Sequence, residues 1–158
     1  MNDSKEIVAR ETSNLAVAKL PFLAALVALC GVADAIYLTV LHYTGEKVPC
    51  SIVAGCEQVL TSSYAEIAGI PLAAFGALAY FGAFALSVLA AFGNGLAWKV
   101  FGVQVVLMAI FTAWLVYLQA FVINAFCQFC LVSAAITLAL FTIFLVSKFL
   151  HKAETRTR

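Results

Sequence analysis

The chain has 158 residues, of which 65% are apolar and only 11% charged, and its formal net charge is +1. Soluble domains average roughly 45 to 50% apolar and about 25% charged residues, so with a mean hydropathy of +1.05 this composition excludes a soluble globular domain and marks a one-domain integral membrane protein. So small a net charge gives no case for nucleic-acid binding.

Residues 1–19 form a short segment carrying Lys5, Arg10 and Lys19. A first apolar stretch follows over about residues 20–41. It is too long for the h-region of a signal peptide, and its end, "YLTVLHYTGEK", lacks a small-x-small cleavage site, so it is predicted to be retained. Cys30 within it is expected to pack as a small buried apolar residue. Asp34 lies about two-thirds of the way out. A carboxylate costs about 2.5 kcal/mol or more at the membrane midplane, which leaves two readings open: a functional group that relays protons, or a protonated or water-reached group near an aromatic belt of Tyr37 and Tyr43. His42 is expected to be solvated.

The next segment, 43–70, holds "CSIVAGC", with Cys50 and Cys56 separated by five residues in a loop containing Pro49 and Gly55 that is expected to bend, closing the ring or swinging one sulfur away. Beyond it, "TSSYAE" reads as a helix start with a Ser63-x-x-Glu66 capping box, and Pro71 reads as a first-turn proline. Apolar stretches over about 71–92 and 98–121 come next, then a short turn near 124–127, the motif "CQFC" (Cys127 to Cys130), a last apolar stretch over about 130–149 and a tail, 151–158. Each stretch holds about 20 residues, enough at 1.5 Å per residue to cross a hydrocarbon core of about 30 Å. Backbone amides in lipid must pair within their own segment unless a barrel closes, and period-2 alternation is absent. The predicted fold is an all-α, four-transmembrane-helix bundle with an outer-face loop between helices 1 and 2.

Eight of the nine basic residues fall on one side of such a bundle, Lys47 being the exception. The positive-inside rule makes that side the cytoplasm, so both termini are expected inside and Cys50, Cys56, Cys127 and Cys130 outside, in an oxidising compartment such as a bacterial periplasm or a lumen. Three readings of these four sulfurs compete. They are a structural disulfide set, a four-cysteine zinc site of a non-enzymatic tetraspan protein, or a thiol relay. A bundle with an apolar core has little need of staples, and zinc ribbons tend to pair two short knuckles where one here is opened to five residues, so no metal is expected. A CxxC at a helix start has a physical logic of its own: the helix dipole and free amides stabilise the thiolate, which is the reactive form. The relay is the favoured reading, and a lipid-dissolved quinone is the acceptor that needs only an apolar pocket beside the reactive sulfur. Tyr117, Phe126 and Phe129 are candidate walls for it, with Trp114 and Phe121 nearby.

A cysteine pair in the first outer loop, then "CEQVLTSSYAEIAGIPLAAFG" (56–76), then CxxC at the start of the last span, resembles the vitamin K epoxide reductase (VKOR) family, especially its bacterial members, over about residues 15–150. Quinone reductases of the DsbB type carry the two pairs in the opposite order. The resemblance implies a four-helix bundle around a quinone. Cys50 and Cys56 would be a shuttle pair accepting electrons from a thioredoxin-like protein, Cys56 would exchange with Cys127, and Cys130 would face the quinone. Ser62 matches a serine that the family keeps near the reactive site. Animal members place a tyrosine where this chain has Ala134, and an asparagine at a position matched here by Leu72. Both differences argue against animal-type vitamin K epoxide reduction and for an ordinary quinone such as ubiquinone or menaquinone. Many bacterial members also carry a fused thioredoxin-like domain after the bundle. Here the resemblance implies a periplasmic or luminal partner acting in trans, and a bacterial inner membrane as the location.

Overall fold

The computed structural model describes residues 3–46, 48–50 and 55–156, with side chains for 19–46, 48–50, 55–150 and 152. Helix α1 (Asp3–Thr44) leads through a short helix α2 (Cys56–Leu60) and a two-stranded hairpin, β1 (Glu66–Ile67) and β2 (Ile70–Pro71), to α3 (Leu72–Ala91). Then come α4 (Gly95–Tyr117), a π-helical turn (Leu118–Ile123) that prolongs it, and α5 (Gln128–Arg156). Among the described residues four helices are long and apolar enough to cross a membrane, at Lys19–Thr44, Leu72–Ala91, Gly95–Ile123 and Gln128–Leu150. The expected four-helix membrane bundle is the one observed. Of the basic residues used for orientation, Lys47 and Arg158 lie outside the described residues, as do the side chains of Lys5, Arg10 and Arg156.

Local chemistry sets the ends of these elements. Asn94 caps α4, its Oδ1 accepting the N–H groups of Leu96 and Ala97 at 3.1 Å each, and Gly93 at φ +93° makes the tight turn before it. The third span therefore begins three residues earlier than its apolar run. Pro71 has extended backbone and is the N-cap of α3, not its first-turn residue. The capping box does not form. Ala68 and Gly69, at φ 52° and 79°, close a two-residue hairpin in which Ile67 pairs with Ile70 and Glu66 with Pro71. Glu66 is thereby drawn into a strand and meets the His42 imidazole, Nε2 to Oε1 3.3 Å.

Helix packing rests on small residues. Ala24, Ala28, Gly31 and Ala35 make a buried stripe along α1 at helical spacing, and small side chains let helix backbones approach where lipid supplies no hydrophobic drive. A Cβ on Gly31 would stand 2.5 to 2.7 Å from the ring of Tyr80 on α3, so the glycine is the seat of that ring. At the other end of the bundle Gly102 admits the Phe144 ring, and Trp98 stacks on Phe101 at 4.8 Å while its Nε1–H donates to Ser147. The outward faces carry exposed large apolar residues such as Phe22, Leu26, Phe81 and Ile110, as a surface solvated by lipid must. Cys30 belongs with them: it is exposed, contrary to the buried position expected, because it lies one residue round the helix from the stripe through Gly31.

Candidate functional site

Cys50 and Cys56 are joined in a disulfide with Cα atoms 6.2 Å apart. Cys56 opens α2 and is buried. Residues 51–54, the body of the loop expected to bend, lie outside the described residues. Gly55 stands against the turn before α5: a Cβ there would lie 2.8 Å from the Phe126 carbonyl oxygen and 2.9 Å from its nitrogen. Its backbone angles, φ −102° and ψ 6°, are open to any residue, so lack of space is what calls for glycine. Gln58 adds a second tie, donating from Nε2 to the Ile123 carbonyl at 3.3 Å. By these contacts Cys56 packs into one buried cluster with Val59, Ala125 and Cys127, with Cys50 and Cys130 against it.

The second pair sits where α4 ends and α5 begins. The π-helical turn closes with Asn124 in the left-handed region at φ 52°. Two amides beyond it are both taken by Gln119, whose backbone carbonyl accepts the Ala125 N–H at 3.1 Å and whose side-chain Oε1 accepts the Cys127 N–H at 3.0 Å. Cys127 is fully buried and acts as the cap of α5. Its carbonyl accepts the first helical amide, Leu131, and its Sγ accepts the Cys130 N–H at 3.4 Å. A hydrogen bond from the Cys130 thiol, with smaller help from the Cys130 and Phe129 amides, outweighs burial and holds the Cys127 thiol down to about 7. Cys127 is therefore the more acidic, reactive member of a CxxC.

Cys130, one turn into α5, lies on the wall of a cavity of about 800 Å³ enclosed by all four spanning helices. Apolar side chains make up most of that wall, among them Leu38, Phe75, Leu107, Leu115, Leu72 and Ala134. Polar groups are set among them. His42, Glu57, Glu66, Ser62 and Gln119 come from the end that carries the thiols, and Asp34, Gln104, Ser133, Thr137 and Tyr80 from within the spans. The Tyr80 hydroxyl bridges α3 to α5, 2.7 Å from the Ser133 carbonyl and 2.8 Å from the hydroxyls of Ser133 and Thr137. Gln104 Nε2 is spent on the Ala79 carbonyl at 2.7 Å. Asp34 Oδ2 is buried and has no hydrogen-bond partner, the one such side-chain atom among the described residues. The cavity's size, its apolar walls and a carboxyl oxygen in want of a partner would suit a flat apolar ring carrying carbonyl oxygens, such as a quinone, held between Asp34 and Cys130.

Of the residues singled out in the sequence, the structure brings Cys50, Cys56, Cys127 and Cys130 into one cluster and places Cys130, Asp34 and Ser62 on the cavity wall. Ser62 Oγ donates to the Val59 carbonyl at 2.7 Å, so it also closes the end of α2. The aromatics are off the cavity wall, although Phe129 packs against the cysteine cluster. Tyr117 stacks between Trp114 and Phe121 on an exposed face, Phe126 is exposed beside the turn, and Phe129 rests on Tyr37 at 5.4 Å; none of the three lines the cavity. Sequence reasoning took Gly55 for a bend, where lack of space against Phe126 is the reason for it, and missed Gln119 and Tyr80. A glutamine within an apolar run, eight residues before a reactive cysteine, was the available signal for Gln119, since polar groups in a span seek a defined partner.

A disulfide packed on a dithiol at one end of a four-helix membrane bundle is the arrangement that the fold and site define. The chain belongs to the vitamin K epoxide reductase family, whose model matches residues 22–145. It is similar to the thiol-disulfide oxidoreductase LTO1 of Arabidopsis thaliana, with 33% identity over 117 residues, or 68% of this chain. The chain spans about a third (31%) of the length of that relative.

Proposed function

We propose that this protein oxidises a thioredoxin-like partner in trans and passes the electrons through its two cysteine pairs to a lipid quinone, supporting disulfide formation in an oxidising compartment. The observation that carries this reading is the packing of the Cys50–Cys56 disulfide on the Cys127/Cys130 pair, with Cys130 on the wall of an apolar cavity. The partner's dithiol reduces Cys50–Cys56 and leaves oxidised. The freed Cys56 thiolate attacks the sulfur of Cys127 in an oxidised Cys127–Cys130 pair, Cys130 departs, and Cys50 closes on Cys56 to release both lower thiols. The arrangement in this structure, upper pair closed and lower pair reduced, is the stage that follows.

From there Cys130 faces the cavity and delivers the electron pair as the Cys127–Cys130 disulfide re-forms. A quinone bound there would take up two electrons and two protons. Cys127, with its thiol held near 7, is a good thiolate but a poor keeper of a proton. Asp34, its free oxygen turned to no protein donor, is the group that holds the proton beside the acceptor. Leu72 and Ala134 on the wall leave an ordinary benzo- or naphthoquinone as a better match than a vitamin K epoxide.

The test uses the full chain in detergent with dithiothreitol and a short-chain ubiquinone. Wild-type protein reduces the quinone. Cys130→Ser does not, and accumulates a Cys56–Cys127 link visible by peptide mass spectrometry. Full quinone reduction by Cys130→Ser would overturn the assignment.

A further inference from the structure

Gln119 lies between the two halves of the site. Its side chain is 3% exposed, and its one hydrogen bond, through Oε1, fixes the backbone amide of Cys127. The same residue lines the cavity. Its backbone carbonyl holds Ala125, so one residue pins both amides flanking Phe126, whose own backbone is the surface met by Gly55. The π-helical turn is what makes this possible. An α-helix would carry residue 119 past the turn, whereas the widened π ring places both of its carbonyl oxygens over the chain that returns. Single π turns of this kind recur at functional sites.

We propose that Gln119 is a positioning residue that sets Cys127 in its capping geometry and couples that geometry to occupancy of the cavity. While its Oε1 holds the Cys127 amide, the sulfur is kept over the first turn of α5, where the Cys130 amide and thiol stabilise its negative form. A quinol or quinone head group offers carbonyl or hydroxyl oxygens to the amide end of the same side chain, so filling the cavity braces Cys127. Emptying it loosens the hold. The first half of this proposal depends on the thiol pair alone; the coupling rests on the reading of the cavity as a quinone site.

The experiment follows alkylation of Cys127 by iodoacetamide, read at the peptide level across pH, in full-length wild type, Gln119→Met and Gln119→Glu, each reduced beforehand and checked by thermal unfolding. Methionine keeps the volume and removes the acceptor. Its alkylation midpoint rises by about one pH unit, so the reaction at pH 7 slows about fivefold. Glutamate restores an acceptor for the amide and so rescues the Cys56–Cys127 link formed in a Cys130→Ser background, which Gln119→Met forms poorly. An unchanged midpoint in a folded Gln119→Met protein overturns the positioning role. For the coupling, a short-chain ubiquinol, which is already fully reduced and can accept no electrons from the thiols, is added: it changes the Cys127 alkylation rate in wild type and leaves Gln119→Met unaltered. If wild type reduces the quinone but its alkylation ignores the quinol, the coupling falls and the proposed function stands. If wild type reduces no quinone, the proposed function falls, and the pH midpoints still decide the positioning role.

Discussion

At Cys127 a single sulfur combines full burial with an acidic thiol, two properties that ordinarily oppose each other. Burial disfavours a thiolate, so the Cys130 thiol and the amides of the first turn must supply the stabilisation. The sign of the resulting pH dependence follows. Below about 7 the sulfur is protonated and inert; above it the thiolate forms, more than a unit lower than for a free cysteine at about 8.5. Alkylation of Cys127 in wild type is therefore half-maximal near pH 7, and in Cys130→Ala, which lacks the donating thiol, it shifts toward the ordinary cysteine range. Asp34 is tested separately. Asp34→Asn leaves exchange between the two cysteine pairs at the wild-type rate but slows quinone reduction about 100-fold, within the range for loss of a positioned acid–base group. Equal slowing of both steps would remove Asp34 from the proton transfer.

Between elements the decisive contact is the approach of α2 to the turn before α5. Gly55→Val forces its new side chain into the Phe126 backbone and drives Cys56 away from Cys127. A displacement of about 1 Å costs an aligned reaction about 10²-fold, so turnover with a protein dithiol falls by about that factor. A small dithiol that reaches the lower pair directly still supports quinone reduction, and equal loss with both donors would argue against the shuttle. The spans themselves were legible because their residues are apolar all round and long enough to cross lipid, and the pairing of Cys50 with Cys56 followed from family resemblance. Other features were out of reach. Ser63 and Glu66 have the spacing of a capping box, and only the positive φ angles of Ala68 and Gly69 show why a hairpin wins. Phe126, Phe129 and Tyr117 are near the CxxC in sequence, yet Tyr117 and Phe126 are exposed and Phe129 packs on the cysteine cluster without reaching the cavity, while Tyr80, nearly fifty residues earlier, reaches Ser133 and Thr137. Sequence proximity carries no information about which face a side chain takes. Gly31 and Gly55 matter for the atoms they leave out, and the partners that need that space come from distant parts of the chain.

Taken whole, the bundle is lopsided. The disulfide, the CxxC, the His42–Glu66 pair and the cavity mouth are gathered at one end, while Lys99 and Lys148 mark the other, where the packing of Trp98, Phe101 and Phe144 closes the bundle with apolar rings. Asp34, the deepest acidic group on the cavity wall, is eight residues from His42, about 12 Å along the helix axis. In the proposed function, electrons from the thiols and the protons that accompany them would thus enter from the same end and travel the same short way. Moving one elementary charge across a membrane carrying 100 mV changes its free energy by about 2.3 kcal/mol, but a negative and a positive charge moved together cancel. Catalysis in this geometry is electrically silent: in sealed vesicles, quinone reduction proceeds within about twofold of the same rate under an imposed diffusion potential of either sign. A steep dependence on voltage would mean that protons arrive from the far side. Under the proposed function, the protein would draw on the redox difference between compartment and lipid without charging or discharging the membrane that holds it.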